Sequence, residues 1–286
     1  MNTIYFDSSA QDEVRRQQLY AGQLFVFSPR PSVIALCQLA RDLIEATLGS
    51  PIPQRAEDGL SVKEFLVAES SLKQQIMHHP QTKLLIQSLL QEFGCDLSKT
   101  YFDLPQLRIM PYRGYLPNGE GMFHDPHRDT WYAAPQCIIN WWIPICDFAS
   151  ESALAFHPLY WKEPAQNDSE QFNQGQDYKI NFREAEFPHP TEKVVIEPEI
   201  RVVCPASGIL LFSGAQMHSA VPNTSGLTRY SLDLRTIHYD DAVAGKGAPN
   251  VDSHSPDALL TDFIQAADFT HFLNVTESQM KGAVVL

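Results

Sequence analysis

The chain is 286 residues long, 44% of them hydrophobic, with 34 acidic against 21 basic side chains and a formal net charge of −13. Length and apolar content suit a single domain spanning 1–286, and the acid excess argues against nucleic acid or an anionic membrane surface as a partner. No stretch is apolar over the ~18 residues a membrane helix needs, and the start lacks the basic-then-apolar pattern of a secretory signal, so a cytoplasmic protein is expected.

Residues 1–100 read mainly as helices. Pro31-Ser32 opens one whose apolar positions Val33, Leu36, Cys37, Ala40, Leu43, Ile44 and Leu48 recur with a period close to 3.6, and Gly49 ends it. Ser61-x-x-Glu64 has the form of a capping box, starting a second helix that should stop near Pro80. A third covers 82–93, with Gly94 as its stop. From about Tyr101 the pattern changes to short strands, expected at 104–110, 122–130, 137–145, 153–157, 194–204, 207–213, 216–221 and 228–238. These are enough for a double-stranded β-helix (a jelly roll, cupin-like) over 101–240, mainly β, with the N-terminal helices packed outside one sheet. Beyond 240 the chain reads as loop and then, from Pro256 to Phe272, as a short helix. Cys37, Cys95, Cys137, Cys146 and Cys204 are odd in number and scattered, which supports neither a disulfide framework nor a zinc ribbon.

The chemistry-bearing residues lie in the strand region. His127-Arg128-Asp129 supplies an imidazole and a carboxylate two positions apart, which a strand places on one face. His218 supplies a second imidazole, and Arg229 and Ser231 follow it on the next strand. Two His and one carboxylate on one face of a metal leave three positions open, the arrangement of non-haem Fe(II) oxygenases. An arginine nearby can hold the far carboxylate of a 2-oxo acid. A second His-x-Asp, His238-Tyr239-Asp240, has His254 and His271 downstream but no Arg-x-Ser after either, and reads as a decoy.

Asn223-Thr224-Ser225-Gly226 is a turn signal. If it closes a hairpin, His218 lies opposite Ser231, and Arg229 lies two residues nearer the turn on the same face, about 6.6 Å away. That is the reach of a 2-oxoglutarate chelating a metal at its keto-acid end, with Ser231 adding a hydrogen bond. Arg235 shares the face and is the runner-up anion binder. His124-Asp125 are candidates to orient His127. Trp131, Trp141, Trp142 and Trp161 cluster in sequence. Neighbouring Trp141 and Trp142 face opposite ways on a strand, so at least one is core, while Trp131 and Trp161 are candidates for a substrate pocket.

The stretch from Gln106 to Thr236 resembles the phytanoyl-CoA dioxygenase superfamily of Fe(II)/2-oxoglutarate-dependent oxygenases. It does so through Gln106-Leu-Arg-Ile-Met, Gly121-Met-Phe-His-Asp-Pro-His127-Arg-Asp129-Thr-Trp131, Asn140-Trp-Trp-Ile-Pro-Ile145, Gly208-Ile-Leu-Leu-Phe-Ser, His218-Ser-Ala-Val-Pro-Asn and Arg229-Tyr-Ser231. The resemblance implies that His127, Asp129 and His218 ligate Fe(II), that Arg229 binds 2-oxoglutarate, and that Gln106 and Ser231 touch it. O2 is the co-substrate and a small molecule the partner. Two departures stand out: Pro158-Leu-Tyr-Trp161 replaces the family's frequent Pro-Gly-Ser-His turn, and the segment to Lys193 is long and polar. That segment, 159–193 with Gly175 as a hinge, is expected to be a lid-like insertion. The reaction expected is hydroxylation of an unactivated C–H, with desaturation, cyclisation or epimerisation as outcomes of the same cofactors. The readings from other classes are a non-catalytic jelly-roll binding protein and a cupin-type isomerase using Mn, Ni or Zn.

Overall fold

The computed structural model describes residues 3–50, 52–112, 125–172, 188–255 and 260–272. The chain begins with strand β1 (Ile4–Phe6), helix α1 (Asp12–Tyr20) and strand β2 (Leu24–Phe27), followed by helices α2 (Pro31–Leu48), α3 (Val62–His78) and α4 (Thr82–Glu92). Strands β3 (Thr100–Phe102), β4 (Gln106–Met110), β5 (Ile139–Pro144), β6 (Leu154–Phe156), β7 (Ile200–Val202), β8 (Ile209–Ser213), β9 (His218–Ala220) and β10 (Arg229–His238) come next. A short helix α5 (Tyr239–Val243) and strand β11 (Ile264–Gln265) complete the described elements.

The helices form where their end signals fall. Helix α2 takes Pro31 in its first turn and stops on Gly49, whose φ of 61° is left-handed and suits a residue without Cβ. The Ser61 hydroxyl accepts the Glu64 N–H at 3.3 Å, while the Glu64 carboxylate accepts the Ser61 N–H at 2.8 Å, so the capping box is present at α3. The apolar stripes of α2, α3 and α4, among them Leu36, Ile44, Phe65, Leu72 and Ile86, pack as one core with the outer face of the larger sheet.

That sheet has eight strands in the order β1-β2-β8-β5-β10-β3-β11, with β4 paired to the first half of β10. A three-stranded sheet, β7-β6-β9, packs against its inner face through Leu154, Phe156 and Val202, which meet Trp142, Leu210 and Phe212. The expected jelly roll with external helices is therefore the fold, as an open sandwich and not a closed barrel. Alternation on β10 separates the two environments. Tyr230, Leu232 and Leu234 join the helical core. Arg229, Ser231, Asp233 and Arg235 have the opposite parity and face the small sheet. Trp141 and Trp142 divide the same way, Trp141 to the helical core and Trp142 to the space between the sheets. All five cysteines are free thiols.

The structure departs from expectation in four places. The N-terminal part is not only helical: β2 (Leu-Phe-Val-Phe) is a short uniformly apolar run, which periodicity cannot classify, and it is captured by the edge of β8. The expected strand over 122–130 reduces, among the described residues, to a single bridge from His127 to His218, and Asp129–Trp131 is a turn of 3-10 helix. Within the expected helix at 256–272, the described residues hold β11, which pairs with β3. Finally, β9 and β10 do not form a hairpin: β9 pairs with β6, whereas β10 pairs with β3, β4 and β5, so the Asn223 turn crosses from one sheet to the other.

Candidate active site

Three ligand-bearing side chains converge at the inner face of the sandwich. His127 and His218 exchange backbone hydrogen bonds, N to O at 2.9 and 3.0 Å, so the two imidazoles lie side by side across a single bridge with ring centroids 4.4 Å apart. Each Nδ1 lies against the carbonyl two residues upstream, His127 on Asp125 at 2.8 Å and His218 on Gln216 at 2.9 Å. That contact orients each ring and turns Nε2 toward Asp129. His124 lies outside the described residues, and it is the backbone of Asp125, not its carboxylate, that orients His127. Asp129 then brings Oδ1 to 3.7 Å from Nε2 of His127 and 4.0 Å from Nε2 of His218. The three ligand atoms lie within 4.8 Å of one another, a spacing that one metal ion can bridge.

The chain reaches this geometry by close approach. A Cβ on Gly214 would sit 2.3 Å from the Ile138 side chain and 3.3 Å from Asp129, so a side chain there would clash with Ile138 and crowd the 3-10 turn bearing Asp129. Burial pushes the Asp129 carboxyl up, but His218, His127, Arg235 and a hydrogen bond from Asn140 outweigh it and hold the group below its ordinary range. It is ionised at neutral pH, as a metal ligand must be. The decoy pair His238 and Asp240 forms no such cluster among the described residues.

Arg229 and Ser231 sit further along the same inner face, and their surroundings are unusual. Arg229 is 3% exposed. One guanidinium nitrogen donates to the Ser152 carbonyl at 2.6 Å, and the group lies 5.4 Å from the Trp142 ring centroid. Among the described residues its Nε has no hydrogen-bond partner, and neither has the fully buried Ser231 hydroxyl. Burial pushes the Arg229 pKa down to about 10, which still leaves it cationic at neutral pH. Asp233, the carboxylate on the same strand face, is paired with Arg108 at 2.9 Å instead. Arg235 is held by Asp103 at 2.6 Å. Gln106 lies on β4 across from Asp233, and its amide approaches the Leu104 carbonyl at 3.4 Å.

Neither tryptophan has the surroundings expected of a substrate wall. Trp131 is fully buried, with its indole N–H donated to Asp252 at 2.8 Å. Trp161 packs over Gly22, in the turn between α1 and β2. Sequence reading missed the network that explains Trp131. Arg128, between two ligand residues, forms a buried pair with Asp252 at 2.9 Å and donates to the carbonyls of Ala215, Tyr160 and Glu163. Asp252 also accepts from the Ala165 N–H at 2.9 Å. No local motif announces Asp252, because its partners are remote in sequence. The network anchors the start of the 159–193 insertion, and Asn167 and Pro190 bridge its two ends. Residues 173–187, with the expected hinge Gly175, lie outside the described residues.

Removing one partner of a buried ion pair leaves the other charge uncompensated, at a cost of about 3–5 kcal/mol. Asp252→Ala should lower unfolding stability by that amount in denaturant titration. A loss under about 1 kcal/mol would mean that solvent reaches Arg128 and that the pair does not lock these segments.

Solved structures similar to the chain include EvdO2 from Micromonospora carbonacea var. aurantiaca, with 14% identity, 81% of this chain and 92% of that one covered and a TM-score of 0.49. They also include the non-heme alpha ketoglutarate dependent epimerase SnoN from nogalamycin biosynthesis, with 14% identity, 86% and 96% covered and a TM-score of 0.38. A third is the carbocyclase SnoK of the same biosynthesis, with 11% identity, 80% and 85% covered and a TM-score of 0.40. No curated protein matches the chain. The family model Phytanoyl-CoA dioxygenase (PhyH) matches residues 26–231, which carry the three converging ligands together with Arg229 and Ser231, and the chain belongs to that family of Fe(II)/2-oxoglutarate-dependent enzymes.

Proposed function

We propose that this protein hydroxylates an unactivated C–H bond of a small-molecule substrate, with His127, Asp129 and His218 holding Fe(II) and Arg229 and Ser231 holding 2-oxoglutarate. The observation that carries the reading is the state of Arg229: among the described residues this buried cation forms no ion pair and its Nε has no hydrogen-bond partner, and neither has the buried Ser231 hydroxyl on the same strand face. Such a pair is costly to maintain alone and is satisfied by an incoming carboxylate. The facial set of two imidazoles and one carboxylate supplies the other end of that ligand's site. When bound, iron, 2-oxoglutarate and O2 together supply the oxidation, with succinate and CO2 as by-products. The protein's residues position the co-substrate, keep one carboxylate ionised and exclude water; the hydrogen-bonded Nδ1 contacts keep both imidazoles turned toward the metal.

The test is a panel of small metabolites incubated with protein, Fe(II), 2-oxoglutarate and O2, scored for substrate-triggered succinate and for product mass. Gain of one oxygen atom supports hydroxylation. An unchanged mass, or loss of two hydrogens, would replace it with epimerisation, or with desaturation or cyclisation. Failure of the protein to bind 2-oxoglutarate at all would return it to the non-catalytic jelly-roll class. Halogenation is not expected, since related halogenases lack the carboxylate ligand that Asp129 provides; a chlorinated product in chloride buffer would overturn the ligand assignment.

A further inference from the structure

Asp129 presents only one of its oxygens to the two histidines. Oδ1 faces both Nε2 atoms, whereas Oδ2 accepts a hydrogen bond from the side-chain amide of Asn140. Asn140 sits on β5, a central strand between β10 and β8, in register with Arg235 and Phe212, and is 7% exposed. Backbone pairing on both sides fixes its Cα, so the amide reaches Asp129 from a rigid platform. The carboxylate itself is less constrained: it starts a single 3-10 turn, and rotation about its terminal bond costs little.

A carboxylate free to rotate can give a metal both oxygens, as it does in many calcium sites. At a site built on two imidazoles and a carboxylate, the second oxygen would take one of the three positions that a chelating 2-oxo acid and O2 need. A donor on Oδ2 opposes that rotation, and hydrogen bonds to an ionised acceptor are stronger than neutral ones. We infer that Asn140 is a positioning residue that restricts Asp129 to one-oxygen ligation and so keeps open a coordination position for 2-oxoglutarate. This inference rests on the Fe(II)/2-oxoglutarate reading above.

The test uses two variants of one shape. Valine and threonine are both β-branched and suit a central strand, but only threonine carries a hydroxyl that can donate to Oδ2. Co(II), which is stable to O2, is titrated into the metal-free protein, and 2-oxoglutarate is then titrated into the Co(II) form, both followed by the visible spectrum of the metal. Asn140→Val should keep Co(II) affinity within the about 100-fold that loss of a ligand's hydrogen-bond partner covers, while its Kd for 2-oxoglutarate rises about tenfold or more. Asn140→Thr should recover a large part of that loss. Wild-type 2-oxoglutarate affinity in Asn140→Val would overturn the inference. So would loss of Co(II) as severe as in Asp129→Ala, since Asn140 would then be needed for the ligand set to form at all. Should Asn140→Val not fold, Asn140→Ala and Asn140→Ser form the same non-donor and donor pair. Failure of the wild-type protein itself to bind Co(II) or 2-oxoglutarate would overturn the proposed function, and that result is distinguishable because it appears before any variant is made.

Discussion

Asp129→Ala should fold, lose iron and show no turnover. Two imidazoles with ring centroids 4.4 Å apart would remain, with no carboxylate to offset the charge of the metal. The loss of affinity should exceed the about 10–100-fold that removal of a ligand's hydrogen-bond partner costs. Folding should survive, because the side chain removed is a buried anion with no lysine or arginine in direct contact among the described residues; its close partners are the two imidazoles and the Asn140 amide. Thermal unfolding of the metal-free variant separates the two effects. Iron retention and turnover like the wild type's, in a protein with normal unfolding, would show that these three residues are not the metal site.

Arg229→Ala should raise the 2-oxoglutarate requirement about 100-fold or more. A guanidinium gripping a carboxylate makes two charge-assisted hydrogen bonds, and losing them costs about 3 kcal/mol, where each 1.4 kcal/mol is tenfold. A second readout follows from mass action. Saturating 2-oxoglutarate with a redox-inert metal should raise the melting temperature of the wild type and leave that of Arg229→Ala nearly unchanged. Arg235→Ala is the control. Its guanidinium is bonded to Asp103, so its loss should cost stability with little change in 2-oxoglutarate affinity. If Arg235→Ala shows the affinity loss and Arg229→Ala does not, the anion site has been assigned to the wrong arginine.

The β9–β10 hairpin whose register would set Arg229 beside His218 is absent from the fold. Sequence reading could see alternation along 228–238 and a turn at Asn223, and both are present. It had no means of knowing whether the turn returns the chain to the same sheet or carries it across to the other, because a turn's residues dictate local dihedrals and not the partner of the next strand. The same holds for His127 and Asp129. Their spacing was legible, but the reason they converge is a bridge to His218 followed by a 3-10 turn, with Gly214 leaving room for Ile138 beside that turn.

By itself, the sequence determined whatever depends on neighbours along the chain: the limits of α2 at Pro31 and Gly49, the capping box at Ser61, the division of Trp141 from Trp142, the inward parity of Arg229, Ser231, Asp233 and Arg235, and the identity of the candidate metal ligands. These follow from the periods of helix and strand and from the chemistry of single side chains. Only the tertiary structure decided that Asn140 reaches Asp129, that Asp252 neutralises Arg128 and takes the Trp131 indole, that Asp103 occupies the competing Arg235, and that Asp233 pairs with Arg108. Each of those contacts joins positions from different elements. The physical reason is that a side chain's charge and hydrogen-bonding capacity are fixed by its type, whereas whether that capacity is already spent depends on which strands the fold lays beside it.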